Sequence, residues 1–303
     1  MRLVSPFFWG LWLVAVPEGL VTRFIENSLG KTSVKIETDG FKKGIFYNFT
    51  AESINVTGGN NDPMLTIKNV EAGINFTSVA RLAPQMNFHG DINNGKIYGN
   101  ISLKGADGMS KIKGNNINIH DIPVFGRCGI HGTGNFTFDL RQMNNRREIK
   151  FSLRDANIRG SFLGTGFLPL DMFQKAKGVL VMEDNLVSVK SLVLEGRGIY
   201  ARVKGEIRGD NQNLKMEVMV DSSSKSEPSP PKIPERFKIS PGYYILPYPE
   251  GGGELLPLML LEGNGFEAFL RLNAIFRFRD HLDDGPKRRL RLFPVPQLNI
   301  AFP

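Results

Sequence analysis

Apolar and polar residues alternate along most of the chain, from Lys31 to Val220, in short runs that end at glycine, asparagine or aspartate. A period of two is typical of β-strands with one buried face, and the residues between the runs are typical of hairpin turns. The pattern therefore predicts a mainly β domain of consecutive antiparallel strands.

The alternation is clearest in three segments, whose apolar positions we expect to share one face of a sheet. These positions are Phe136, Phe138 and Leu140; Ile199, Ala201, Val203 and Ile207; and Leu214, Met216, Val218 and Val220. Shorter examples are Val34 with Ile36, Leu65 with Ile67, Ile74 with Phe76, and Ile117 with Ile119. Turns are predicted at Gly58–Asp62, Asn93–Gly95 and Gly209–Asn211.

One stretch of the domain has a helical pattern, from Leu168 to Ala176, where Pro169 opens a turn and Leu170, Phe173 and Ala176 share a face. With many strands and so little helix, three architectures remain open: a sandwich, a barrel, or a long curved sheet that covers its apolar face with itself or with a ligand. The periodicity alone does not distinguish them.

The N-terminus has a different pattern, because no charged residue occurs from Leu3 to Val16. Continued to Val21, the run would make about 28 Å of helix, which barely spans a bilayer. The bulky Leu13 and the proline at position 17 disfavour signal-peptidase cleavage there. The sequence favours a retained membrane anchor over a cleaved signal or a buried helix. The anchor's apolar side chains are Phe7, Phe8, Trp9, Leu11, Trp12 and Leu13.

Composition narrows the possible partners. A chain of 303 residues with 41% hydrophobic content can bury a substantial core. The net charge of +8 is spread thinly along the sequence, and the densest basic runs, at 145–147 and 287–291, lack the interleaved aromatic residues of a single-strand binder. We interpret these runs as a solvated face and expect no nucleic-acid partner. The single cysteine, Cys128, excludes an intramolecular disulfide and a cysteine-based zinc cluster.

The sequence contains only weak candidates for catalytic, phosphate-binding or metal-binding residues. The four histidines stand apart, without the spacing of metal ligands. The glycine-rich segment 129–134 resembles a phosphate-binding loop, but a strand pattern follows it where a helix would be needed, so we interpret it as a turn. Ser161 does not lie in the Gly-x-Ser-x-Gly pattern of a nucleophile elbow. We therefore expect no catalytic residues, no metal site and no cofactor.

Composition also predicts the domain boundaries. After an anchor at residues 1–22 and a β-rich domain at 23–220, residues 221–236 are rich in serine and proline and suit a flexible linker. A final strand is expected at 237–249. The tail, residues 250–303, has a single lysine and balances seven acidic against seven basic residues, so we expect it to contribute little to the stability of the domain.

Several stretches resemble one known family. They are Val16–Ile25 after the anchor, Gly40–Thr50, Leu194–Ile207, and Ser240–Pro247 with its Gly-Tyr-Tyr-Ile-Leu-Pro ending. In this order they resemble the general secretion pathway protein N family, a component of type II secretion systems. The resemblance covers roughly residues 1–248 and leaves the tail unmatched.

The resemblance implies a non-enzymatic, single-pass protein of the bacterial inner membrane, with most of the chain in the periplasm and other type II secretion components as partners. At fold level the family is similar to AsmA-like proteins, whose curved sheets form apolar grooves that carry lipid. It implies a long curved antiparallel sheet, groove-like or sandwich-like, after one transmembrane helix. The apolar residues predicted either to line such a groove or to make a closed core are Phe136, Phe138, Leu140, Ile199, Val203, Ile207, Leu214, Met216 and Val218. Lipid binding for envelope biogenesis is the alternative function.

Overall fold

A computed structural model describes residues 35–44, 47–58, 63–75, 77–78, 81–83, 85–102, 108–127, 130–159, 168, 170–183, 186–208, 211–221 and 233–247. The predicted anchor at residues 1–22 and the predicted tail at 250–303 lie outside these ranges. Within them, the longest helix is far too short to cross a bilayer, and no membrane-spanning helix is present.

The described chain is dominated by fifteen strands. In chain order they are β1 (Lys35–Asp39), β2 (Lys42–Lys43), β3 (Asn48–Thr57), β4 (Pro63–Asn75), β5 (Gln85–Ile92), β6 (Gly95–Ser102), β7 (Ser110–Asn118), β8 (His131–Met143), β9 (Arg146–Arg159), β10 (Phe173–Glu183), β11 (Leu186–Gly196), β12 (Ile199–Arg208), β13 (Asn211–Val220), β14 (Lys238–Ser240) and β15 (Tyr243–Pro247). One short α-helix, α1 (Pro123–Arg127), follows β7. Single 3-10 turns occur at Ile119–Asp121, Leu170–Met172 and Glu235–Phe237.

All fifteen strands belong to one antiparallel sheet. From β3 to β13 each strand pairs with the next in sequence, and β15 then pairs with β13 and β14. β1 pairs with β3 at one end of the order and β14 is the last strand at the other, so the sheet is open. The prediction of a mainly β, antiparallel domain is confirmed. Of the three architectures that the sequence left open, the chain has the single open sheet.

The sheet buries one of its faces. Residues of alternating parity from β1 to β15 form a single apolar cluster, within which Ile97, Ile101, Ile117 and Val218 are fully buried. Segments between strands add to this core, since the 3-10 turn after β7 contributes Ile119. Helix α1, which follows β7, also contacts β4, a strand three places from β7 in the sheet order. Because burial of apolar area is the main favourable term in folding, this continuous cluster is what stabilises so extended a sheet.

The alternation changes phase at three residues with positive φ. Asn69 (φ 51°), Asn116 (φ 53°) and Asp155 (φ 51°) lie in β4, β7 and β9, each beside a register shift with a neighbouring strand. Before Asn116 the buried positions of β7 are even-numbered, and after it Ile117 is buried. These are β-bulges, and asparagine and aspartate tolerate the left-handed conformation that they need.

Tight turns connect many of the strands. The predicted turn at Asn93–Gly95 is confirmed: Asn93 and Asn94 join β5 to β6, with Asn93 at φ 48°. Positive φ also occurs at Asn144 between β8 and β9, and at Gly198 between β11 and β12. Two-residue hairpin loops favour asparagine and glycine because their backbone must adopt positive φ. The other predicted turns fall largely outside the described residues.

Three local expectations were wrong. The helix predicted from Leu168 to Ala176 is only a 3-10 turn at Leu170–Met172, after which β10 begins at Phe173. Pairing with β9 and β11 on both sides outweighs the weak helical spacing there. The segment interpreted as a turn at 129–134 enters strand β8 at His131. Finally, Ile119 belongs to a 3-10 turn rather than to the strand of Ile117.

Candidate functional site

The apolar residues predicted to line a groove or to make a closed core lie in three strands of the sheet, β8, β12 and β13, all on its apolar face. Eight of the nine are buried in the core cluster, and Phe136 is partly buried against it. β12 and β13 bring members of the set into direct cross-strand pairs, such as Val203 with Met216. Three strands separate β8 from β12, so the first three residues meet the other six only through the larger cluster.

Exposure decides how open this surface is. Val203 is 1% exposed, Met216 4% and Val218 0%. Side chains this deeply buried are covered by the protein's own atoms. Among the described residues, the exposed large hydrophobic side chains are Leu82, Tyr98, Met109, Met143, Met219 and Ile239, and they come from different strands and loops. The described part of the apolar face is therefore packed as a core.

Phenylalanine rings fill the middle of that core. Phe136 packs edge-on against Phe125 of α1, with ring centroids 5.5 Å apart, and tilted against Phe138 at 5.7 Å and Phe151 at 6.0 Å. Aromatic pairs at these separations add to the area that they bury. Helix α1 thus covers the ring of Phe136 and holds the segment after β7 on the sheet.

Glycines lie directly opposite several of these rings. Phe138 pairs with Gly114 of β7, Phe151 with Gly178 of β10, and Phe88 of β5 with Gly99 of β6. A methyl group built at Gly114 or at Gly178 would overlap the ring of its partner, and one at Gly99 would lie 2.9 Å from Cε1 of Phe88. The absence of a side chain at these three positions lets each ring lie across the neighbouring strand.

The opposite face of the sheet is polar, and its first strands carry a hydrogen-bonded ladder. Asp39 Oδ2 accepts hydrogen bonds from Ser53 Oγ at 2.9 Å and from Asn55 Nδ2 at 3.1 Å. Thr66 Oγ1 donates to Asn55 Oδ1 at 3.0 Å, so the ladder links β1, β3 and β4. Neighbouring polar side chains satisfy one another here, which is typical of a structural, solvent-facing surface.

Further along the polar face, the side chains are mainly basic. Asp139 of β8 lies among three cations: Lys113 Nζ is 3.7 Å and Lys111 Nζ 3.8 Å from Asp139 Oδ2, and Arg141 Nε is 3.3 Å from Asp139 Oδ1. On β9, Lys150 Nζ lies 2.9 Å from Glu148 Oε1. Cations outnumber carboxylates in this part of the sheet.

The net positive charge is not spread evenly but is concentrated in one part of the sheet, whose strands are also consecutive in the sequence. The five adjacent strands β6 to β10 contain eleven lysine and arginine residues against four aspartate and glutamate residues, a net charge of +7. Strands β1 to β5 contain four basic and five acidic residues. A signal for this was present in the sequence, since Lys111 and Lys113, two residues apart, must share a face of a strand.

The described residues hold no cluster of metal-ligating side chains. Among the histidines, His89 lies on β5 with Nε2 3.4 Å from Glu71 Oε2, His120 lies in a 3-10 turn, and His131 begins β8. His281, Cys128 and Ser161 fall outside the described ranges. The sequence expectation that the chain has no metal or cofactor stays a prediction.

Sequence reasoning missed the partners of the predicted apolar residues. It named Phe136 and Phe138 but neither Phe125 and Phe151, which pack on Phe136, nor the glycine that faces Phe138. Glycines within otherwise regular strands were the available signal, because glycine weakens a strand unless a close approach requires it.

Comparison of the chain with protein-family models, curated proteins and solved structures gave no match in any of the three.

Proposed function

We propose that the chain is a non-enzymatic accessory component of the type II protein secretion system, held in the bacterial inner membrane by residues 1–22 with the sheet in the periplasm. The resemblance of its sequence motifs to the general secretion pathway protein N family motivates the proposal. Of these stretches, Leu194–Ile207 spans the β11–β12 hairpin, and Ser240–Pro247 includes β15. Both lie beside β13 in the sheet order.

The observation that carries the proposal is the sheet itself. Its apolar face is closed by its own side chains and its other face is polar, while the described residues gather no metal ligands. Such an arrangement suits a protein that holds or positions others better than one that transforms a substrate, because catalysis needs convergent reactive groups. We also propose that the sheet is long and curved, with a groove-like or sandwich-like shape.

The alternative is an AsmA-like protein that binds or carries lipid. The observation in its favour is the continuous apolar cluster from β1 to β15, which offers the chemistry of an acyl-chain path. Against it stands the burial of Val203, Met216 and Val218, since a lipid would have to displace their present contacts. We therefore rank the secretion role first.

Gene deletion separates the two functions. Loss of exoprotein export with an intact outer membrane is the expected result, and a plasmid-borne copy should restore export. Intact export with increased sensitivity to detergent would instead establish the lipid role. The genomic neighbourhood is an independent check, because a secretion component should lie beside genes for other parts of the same machine.

The membrane topology has its own test. Reporter fusions at Gly30 and Gly209 should be active only on the periplasmic side, and the full chain should resist carbonate extraction. Recovery of the mature chain as a soluble species would contradict the anchor.

A further inference from the structure

The polar face of β7 to β10 carries a compact set of basic side chains, here called the basic face: Lys111, Lys113, Arg141, Lys150, Arg154 and Lys177. Each alternates along its strand with positions that are buried on the other face, such as Ile112 and Leu140. The cross-strand register places them together, since Lys113 pairs with Asp139, which pairs with Lys150. All six therefore point to the same side of the sheet.

Carboxylates on this surface neutralise only part of the charge. Asp139 and Glu148 both have cationic neighbours within 4 Å, and Asp155 Oδ2 accepts a hydrogen bond from Asn135 Nδ2 at 3.5 Å, so six cations face three anions. Lys177 pairs with Ser152 on one side and Val193 on the other, and Arg154 pairs with Asn135. The lysine and arginine side chains of this set are half-buried or exposed. An excess of positive charge on adjacent strands creates a field that attracts anions.

The make-up of the basic face limits its partner. Lysine is depleted in protein–protein interfaces, whose centres are apolar and aromatic. Single-stranded nucleic acid would need stacking platforms, and the exposed aromatic residue beside this face is Tyr98 alone among the described residues. Strands spaced about 4.8 Å apart present these cations as a two-dimensional array. An array of hydrated ammonium groups complements a surface that bears many phosphate groups.

We propose that the basic face docks on a membrane surface that contains anionic phospholipid headgroups. The attraction needs neither a pocket nor a specific lipid, and it is weakened by salt. The inference is independent of the secretion role, because it rests on the charges of β7 to β10 and not on the family resemblance.

Lysine reactivity tests the docking directly. The purified full chain is mixed with vesicles of phosphatidylcholine alone or of phosphatidylcholine with phosphatidylglycerol, and acylation of individual lysines is followed by mass spectrometry. We expect acylation of Lys111, Lys113 and Lys150 to slow by about fivefold with the anionic vesicles, the factor that corresponds to about 1 kcal/mol per lysine. Lys42, Lys68 and Lys204, which lie on other strands of the same molecule, are the internal control.

A variant strengthens the test. Lys111→Gln, Lys113→Gln and Lys150→Gln together should abolish the protection of Lys177, whereas Lys42→Gln, Lys68→Gln and Lys204→Gln together should leave it intact. Because these side chains lie on the polar face, both variants should fold, as circular dichroism will show. Raising the salt concentration should remove the protection in the unsubstituted chain.

Four outcomes would overturn the proposal. Acylation rates that do not depend on lipid composition would show that the face does not dock. Equal slowing at the control lysines would indicate a general surface effect. Protection by inorganic phosphate with neutral vesicles, at matched ionic strength, would identify a site for a discrete anion. Protection by single-stranded DNA and not by anionic vesicles would identify a nucleic-acid surface.

Discussion

Two pairs of adjacent strands, the β12–β13 ladder and the β7–β8 ladder, bury their apolar faces in different ways. Between β12 and β13 ten consecutive residue pairs run without a register shift, from Ile199 with Val220 to Arg208 with Asn211. Between β7 and β8 the register breaks after Gly114, where Asn116 adopts positive φ, and resumes at Ile117. Both ladders bury one face in the same cluster.

The side chains of the two ladders differ accordingly. The β12–β13 core pairs aliphatic residues of ordinary size, such as Ala201 with Val218. The β7–β8 core pairs Phe138 with Gly114 and is covered by Phe125 of α1. The unbroken ladder depends on strict alternation and on Gly205 at φ 141°, whereas the bulged ladder depends on Gly114 and on the left-handed Asn116. A bulge bends its strand and increases the local twist, which the regular ladder does not do.

The largest expected effect comes from breaking the alternation in the regular ladder. Met216→Asp would place an unpaired charge on the closed apolar face, and we expect the free energy of unfolding to fall by about 4 kcal/mol or more. Met219→Asp on the same strand is the control, because Met219 is 50% exposed on the polar face; it should cost no more than about 1 kcal/mol. Urea denaturation of the full chain measures both. Equal losses would mean that the two faces of β13 are not distinct.

The second effect tests the glycine–phenylalanine pair of the bulged ladder. A methyl group at position 114 would overlap the Phe138 ring, so Gly114→Ala should destabilise the chain by about 1–3 kcal/mol. Gly126→Ala is the control, because its new methyl group would lie at an ordinary 3.6 Å from His131. In the double variant Gly114→Ala/Phe138→Leu the smaller side chain makes room, and the two effects should not add. Strict additivity in this double-mutant cycle would rule out a direct clash.

These two ladders also show how far sequence reasoning reached. Strict alternation in Ile199–Ile207 and Leu214–Val220 was enough to predict both strands and their buried faces, because a period of two leaves little ambiguity. The strand containing Phe136, Phe138 and Leu140 was found in the same way. Periodicity thus predicted the class of the fold and the buried face on which most of the named apolar residues lie.

Sequence reasoning missed the features that a two-residue period does not show, such as strand ends, short helices and the register between strands. Ile119 keeps the two-residue period of Ile117, but β7 ends at Asn118, where Asn118 Oδ1 accepts a hydrogen bond from His120 N and caps the 3-10 turn that contains Ile119. Helix α1 has too few residues to show a helical period. The basic face arises only when the lysines of β7, β9 and β10 come together through pairing, which requires the register.

A third experiment addresses the bulge. Asn116 has φ 53°, a conformation that costs residues with branched side chains about 1–2 kcal/mol, so Asn116→Val should destabilise the chain by that amount. Asn116→Gly should be nearly neutral, because glycine adopts this conformation freely. Asn213→Val, at an exposed position of the regular ladder, should be neutral or slightly stabilising. Thermal denaturation ranks the three variants, and a tolerated valine at 116 would show that the bulge is not needed there.

The smallest expected effect on stability lies on the polar face, where Asp139→Asn removes the carboxylate between Lys111, Lys113 and Arg141. Because ion pairs at partly exposed sites contribute little, we expect a loss of no more than about 1 kcal/mol, smaller still at high salt. The same change raises the positive charge of the basic face, so acylation of Lys150 in the presence of anionic vesicles should slow further. Glu217→Gln on β13 is matched to it, since Glu217 Oε1 lies 3.4 Å from Lys215 Nζ and is similarly half-buried. If both changes strengthened protection equally, net charge and not the position of the basic face would control membrane docking.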